Sequence, residues 1–178
     1  LYHFCCDSTD GLCVDLTTQK DDMTDVPRTQ WVAALATQLP EVRPLVDSLT
    51  EGWQVRHVAV PKAGLMLLRM EEVVLGEDYY LGEVPVACSR VEIELPDGMT
   101  AQGGAQVLDD DEESAVGFAV CDAILSAGLP GAEKVAALVD RGAEELARRD
   151  QVRRGMLART QVDFSLLSDK DPDGEGTA

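Results

Sequence analysis

Arg90-Val91-Glu92-Ile93-Glu94-Leu95-Pro96-Asp97-Gly98 begins the stretch, continuing to Leu125, whose reading decides the fold. Val91, Ile93 and Leu95 alternate with Glu92 and Glu94, the period-two pattern of a strand with one face against a core. Pro96-Asp97-Gly98 breaks that pattern, and the glycine supplies the positive φ that a hairpin turn needs. Gly103-Gly104-Ala105-Gln106-Val107-Leu108 reads as the return strand, thinned by glycines that point to a bulge or a close backbone neighbour. After the acids Asp109 to Glu113, the residues Ala115, Phe118, Ala119, Cys121, Asp122, Ala123 and Leu125 form a helix face. Acids just ahead of a helix are favoured by its dipole and by its free N–H groups. The rest of the chain is expected to cover this unit.

The totals bound the class. A chain of 178 residues is most simply one domain with ragged ends, and its formal net charge is −18. Residues 1–22 and 168–178 carry −4 and −3 of this, which leaves −11 on residues 23–167. Such a surface repels phosphate backbones and anionic lipid, which argues against nucleic-acid or membrane-surface binding. The five cysteines, Cys5, Cys6, Cys13, Cys88 and Cys121, show no CxxC and no metal spacing, so reduced thiols and a cytoplasmic setting are expected. No apolar run approaches a membrane span, and no signal-peptide pattern precedes the domain.

Along the chain, residues 1–22 lack a sustained period and read as a disordered leader or a mis-assigned start, ahead of a domain over 23–167. A His3/Cys5/Cys6/Cys13 metal site is disfavoured by the adjacent cysteines. Trp31, Val32, Leu35, Ala36 and Leu39 share one face of a helix over Arg28–Leu39, which Pro40 ends. Val42, Leu45, Val46 and Leu49 line a second helix, with Pro44 in its first turn. Trp53 to Val60 is strand material and Pro61-Lys62-Ala63-Gly64 a turn. Leu65 to Met70 then reads as a buried strand, and Val73 to Val84 as a further hairpin that ends, or lies at an edge, at Pro85. Gly128-Leu129-Pro130-Gly131 is a break before a long helix from Ala132 to about Ala158. Its apolar stripe runs from Val135 through Leu146 to Val152 and Met156, and its other side carries arginines. Gln161 to Leu167 alternates and could add a strand to this sheet or to a partner's, and residues 168–178 read as a disordered acidic tail. The fold class is therefore α+β: N-terminal helices, an antiparallel sheet with hairpins, and a long C-terminal helical arm.

Catalytic signals are weak. His57 stands beside Arg56 with no triad arrangement around it. The run Asp109–Glu113 lacks EF-hand spacing, and consecutive acids diverge, so a solvated helix N-terminus is the simpler reading than a Mg²⁺ or Ca²⁺ site. Asp122 interrupts an apolar helix face, where an acid needs a partner, and a structural ion pair or hydrogen bond is the expectation. Gly103-Gly104 is followed by acids rather than by the lysine of a phosphate loop. No catalytic residue, cofactor site or metal site is assigned.

Several short motifs in order carry a resemblance: Arg28-x-x-Trp31, Leu35-Ala36, Pro61-x-x-Gly64-Leu65, Arg69, Leu81-Gly82-Glu83-Val84, Asp97-Gly98, Gly103, Val107, Asp111, Ala115, Asp122-Ala123 and Ala158-Arg159-Thr160-x-Val162-Asp163-Phe164. The chain resembles the G subunit (PhnG) family of the bacterial carbon–phosphorus lyase core complex over about residues 28–167. It departs from that pattern at Asp109-Asp110, where the family usually has Gly-Arg, at Val60 and Lys62, and at Gly104, where a Tyr is frequent.

The resemblance implies a non-catalytic subunit that assembles with the I subunit most directly, and with the H and J subunits. It also implies a role in forming ribose 1-phosphonate 5-triphosphate from ATP and an alkylphosphonate, with the iron–sulfur cluster and S-adenosylmethionine belonging to a partner. Trp31, Asp111, Arg159, Val162 and Phe164 are the candidate partner-interface residues, and the arm with the Val162–Leu167 strip is the expected docking surface. The alternatives are a stand-alone acidic domain with a divalent metal at Asp109–Glu113 and a general protein-interaction domain.

Overall fold

The structure, a computed structural model, describes residues 23–72 and 75–160. In chain order these residues form α1 (Arg28–Ala36), α2 (Leu39–Leu49), β1 (Gln54–Glu71), β2 (Asp78–Glu94), β3 (Thr100–Val107), α3 (Glu112–Ser126) and α4 (Ala132–Ala158). The strands make one antiparallel sheet in the order β1-β2-β3, so the class is α+β as the sequence implies.

The central hairpin forms as its pattern dictates. Val91, Ile93 and Leu95 turn inward with Ala101, Gly103 and Ala105 of β3, while Glu92, Glu94 and Gln102 stand on the opposite face. Gly98 takes φ +86 in the turn, and Asp97 Oδ1 accepts from the Met99 N–H at 3.0 Å. The inward face is covered by α3, which is buried from Phe118 to Leu125 because α1 and α4 lie against its other side. Trp31, Leu35, Ile93, Phe118, Ile124, Val135 and Val139 fill the space between these layers.

Two glycines set the spacing of these layers. A Cβ on Gly103 would fall 2.2 Å from the Ala119 carbonyl oxygen and 2.4 Å from the Ala123 nitrogen, so β3 and α3 meet backbone to backbone. A Cβ on Gly142 would fall 2.2 Å from the Ala34 oxygen, which marks the crossing of α4 over α1. Both are backbone atoms that no side-chain rotation relieves. Gly155, by contrast, has open space around it.

Several sequence expectations are corrected. Pro61-Lys62-Ala63-Gly64 is no turn: β1 runs through it, with register shifts between His57 and Ala59 and between Ala59 and Lys62. A proline on an edge strand at an irregularity loses no ladder bond, which is why the strand survives it. Of the two readings at Pro85, the edge holds and the strand end does not: it pairs with Leu65 inside β2, beyond the last β3 pair at Ala87–Val107. At that point β2 has a neighbour on one side only, so its missing N–H is harmless. Leu65 to Met70 is not buried: Leu65 and Leu67 are exposed, because this end of β1 and β2 is a two-stranded ribbon projecting past the helices. The first helix stops at Ala36, and Pro40 sits in the opening turn of α2, which leaves Ala36 and Leu39 exposed and buries Ala34 instead. The apolar stripe of α4 is buried to Gly142 and then runs into solvent, with Val152 and Met156 exposed.

Gly103→Ala is expected to lower the unfolding free energy by about 3 kcal/mol, since the added methyl has nowhere to go. Gly155→Ala, in an open helix interior, is expected to raise it by about 0.5–1 kcal/mol. Urea denaturation of the two variants beside the parent chain measures both.

Candidate functional site

Asp122 lies on the α3 face that meets the sheet and is 7% exposed. Arg28, at the first position of α1, donates to it from Nε and Nη2, each at 2.8 Å, one to each carboxylate oxygen. The Gly104 N–H adds a third bond, to Oδ2 at 3.0 Å. The guanidinium carbon also stands 6.0 Å from the centroid of the Trp31 ring, at the edge of cation–π range. One carboxylate therefore binds α1, α3 and β3 together, and it is the structural ion pair that its position in an apolar face implied. The neighbouring Cys121 thiol is pushed up to about 12 by burial, and then by the charge of Asp122, so it is no nucleophile.

The acidic run is likewise committed to structure. Asp111 is the N-cap of α3: its carboxylate accepts from the Glu113 N–H at 3.0 Å and from the Ser114 hydroxyl. The Ser114 bond is the main cause that holds its carboxyl below the usual range, against desolvation and with help from the backbone donors of Glu113 and Ser114 and the charge of Arg43. Glu112 reaches β1, accepting from the Ala63 N–H at 3.1 Å, and Glu113 pairs with Arg43 of α2 at 2.6 Å. Asp109 caps the Asp110 N–H at 2.8 Å. These carboxylates turn to different partners, and no group of three metal-binding side chains gathers among the described residues.

An open groove of about 530 Å³ runs between α2, β1 and the start of α3. Val42, Val46 and Pro61 give it an apolar floor, and Arg43, His57 and Asp111 stand at its rim. Its lining holds one imidazole, the Ser114 hydroxyl and the carboxylates of Asp47, Asp111, Glu112 and Glu113, the last three engaged as a cap and clasps; Ser114 donates to Asp111, and among the described residues no thiol or serine is hydrogen-bonded to His57 as a nucleophile would need to be.

Among the described residues, Trp31, Asp111 and Arg159 of the expected partner interface are not brought together. Trp31 is 2% exposed, with its indole N–H donating to the Val26 carbonyl at 2.8 Å, so it is a core residue of this chain. Asp111 rims the groove, Arg159 follows the last turn of α4 in solvent, and Val162 and Phe164 lie outside the described residues. What the sequence did not show was the partner of Asp122. Arg28 is 94 residues away, and no local pattern joins the two.

Asp122→Ala is expected to cost about 3–5 kcal/mol, because it removes the carboxylate that two guanidinium N–H groups and an amide N–H share; Asp122→Asn, which keeps one acceptor, should cost less. Asp111→Ala is expected to cost about 1 kcal/mol at neutral pH through loss of the cap. Its carboxyl titrates lower in the folded chain than in the unfolded one. The difference between parent and variant is therefore complete above the ordinary carboxylate range and disappears as acid protonates the folded-state group. Thermal unfolding of each pair across acidic to neutral pH reads both effects.

No helix among the described residues is long and apolar enough to cross a membrane. No curated protein matches the chain in sequence. The family model described as phosphonate metabolism protein PhnG matches residues 26–168. That span takes in Arg28, Trp31, Gly103, Asp111 and Asp122 and covers most of the 178 residues, and so the chain belongs to the PhnG family of phosphonate metabolism proteins.

Proposed function

We propose that this chain is a non-catalytic subunit of the carbon–phosphorus lyase core complex, supporting formation of ribose 1-phosphonate 5-triphosphate from ATP and an alkylphosphonate. The observation that carries the reading is the disposition of its reactive groups. Asp122, Glu112 and Glu113 each hold one structural element to another, Asp111 caps its own helix, and among the described residues the buried Cys121 thiol is kept protonated. The surface, meanwhile, keeps large apolar side chains in solvent at Leu65, Leu67, Tyr80, Leu81 and Met156. Exposed apolar area on this scale marks a chain built to be covered by protein. Membership of the PhnG family supplies the metabolic setting.

In this reading ATP is bound, and the iron–sulfur cluster and S-adenosylmethionine are held, by partner subunits. The I subunit docks on the segment that follows α4, through Arg159, Val162 and Phe164, with Asp111 at the groove as a second contact. Trp31, being buried, acts by fixing α1 rather than by touching the partner. The acidic Asp109-Asp110 pair in this chain calls for a partner surface that is correspondingly basic.

Co-expression with the I subunit from the same source, followed by tagged pull-down and size exclusion, is expected to give a stable stoichiometric complex that a truncation before Val162 abolishes. A folded chain that ignores the I subunit would contradict the subunit reading. A truncated chain that still co-purifies would contradict the placement of the contact.

A further inference from the structure

The groove between α2, β1 and the start of α3 joins an apolar floor to an acidic rim. Leu39 is 38% exposed in it, and Val46 and Val116 are half-buried along it. Gly117, inside α3, also lines it. A glycine in a helix interior costs stability relative to alanine, and here neither backbone nor packing requires one. Gly117 has no positive φ, and a Cβ on it would meet only Val42 Cγ1, at 3.4 Å, an ordinary contact. The missing side chain keeps the floor open.

The charge around this floor is mostly negative. Arg43 is committed to Glu113 at 2.6 Å. Asp111 takes its hydrogen bonds from the Glu113 N–H and the Ser114 hydroxyl, and Glu112 from the Ala63 N–H. These donors are uncharged, so both carboxylates keep their charge, and Asp47 stands exposed at the same rim. Such a rim selects an occupant that brings cations. The chain's own ends do not qualify, since residues 1–22 and 161–178 each set five acids against one lysine.

The edge of β1 beside the groove is closed to an added strand. Pro61 has no N–H, the Ala63 N–H is taken by Glu112 Oε1 at 3.1 Å, and the register shifts twice between His57 and Lys62. An occupant is therefore held through its side chains, as a helix lying in a groove is, rather than by a ladder of backbone bonds.

We propose that this groove docks a basic amphipathic helix of a partner protein. Its apolar side chains lie on the floor between Val46 and Val116, and its lysines or arginines face Asp47, Asp111 and Glu112. The inference deepens the reading of Asp111 as a second partner contact, and rests on that reading for the occupant being protein.

The probe is a fluorescently labelled amphipathic helix of leucine and lysine, about 14 residues long, titrated into the full chain at low salt and followed by anisotropy. Saturable binding is expected, with amide shifts of the parent chain confined to α2, the first turns of α3 and β1 from His57 to Ala63. Gly117→Leu, which fills the floor, is expected to weaken binding about tenfold with unchanged far-ultraviolet circular dichroism. The pair Asp47→Asn and Glu112→Gln, which neutralises the rim, is expected to do the same. Glu71→Gln with Glu83→Gln removes equal charge from the two-stranded ribbon and should leave the affinity within about twofold. A peptide with glutamate in place of lysine should not bind. The proposal is overturned if the leucine–lysine probe fails to bind, if the shifts map to the ribbon, or if the ribbon pair weakens binding as much as the rim pair. Binding that a folded Gly117→Leu chain retains in full also overturns it. A chain that co-purifies with the I subunit yet gives one of these results keeps the subunit reading and loses only this one.

Discussion

A carboxylate withdrawn from water is tolerable only where donors replace the water, and the fold depends on how Asp122 meets that condition. Two guanidinium N–H groups of Arg28 and the amide of Gly104 surround it, each within 3.0 Å. The donors come from α1 and β3 and the acceptor from α3, so satisfying one charge fixes three elements at once. A pair of this kind adds little net stability over an apolar equivalent, yet losing one partner is costly. Its effect is to set position. Gly103, next to one of the donors, lets β3 approach α3 closely enough for the third bond to form.

The alternation at Val91–Leu95, the Asp97-Gly98 turn and the helix beginning after Asp111 were legible because each is a short-range pattern with a single physical meaning. The close approach at Gly103 was legible as a class of cause, a bulge or a backbone neighbour, and the structure selects the second. Asp122 announced its need for a partner but not the partner itself, because pairing across 94 residues leaves no local trace. Pro61 misled for a related reason, while Pro85 stands at an edge, one of its two readings. A proline's cost depends on whether its N–H would have had an acceptor, and that is a property of the neighbouring strand. The run Leu65–Met70 reads as buried on both faces, and in the lone chain it is buried on neither in full. That disagreement concerns what the chain meets rather than how it folds.

The acidic residues that looked most like chemistry turn out to be joints. Asp111 caps α3, Glu112 holds β1 and Glu113 holds α2, and the groove they border contains no nucleophile set against its one histidine. This member of a phosphonate-metabolism family spends these carboxylates on internal bonds and leaves several large apolar side chains in solvent. The ribbon and the arm are then the informative surfaces. Their exposed apolar side chains are costly in water.

Amide hydrogen exchange on the chain alone and on the assembled complex addresses this account most directly. The account predicts that the Gly104 amide and the α3 amides are equally protected in both states. Protection over the ribbon and over α4 beyond Leu146 should be weak in the lone chain at low concentration and rise by at least tenfold on assembly. Ribbon and arm amides that exchange at the same rate in both states would show that these surfaces stay uncovered, and would contradict it.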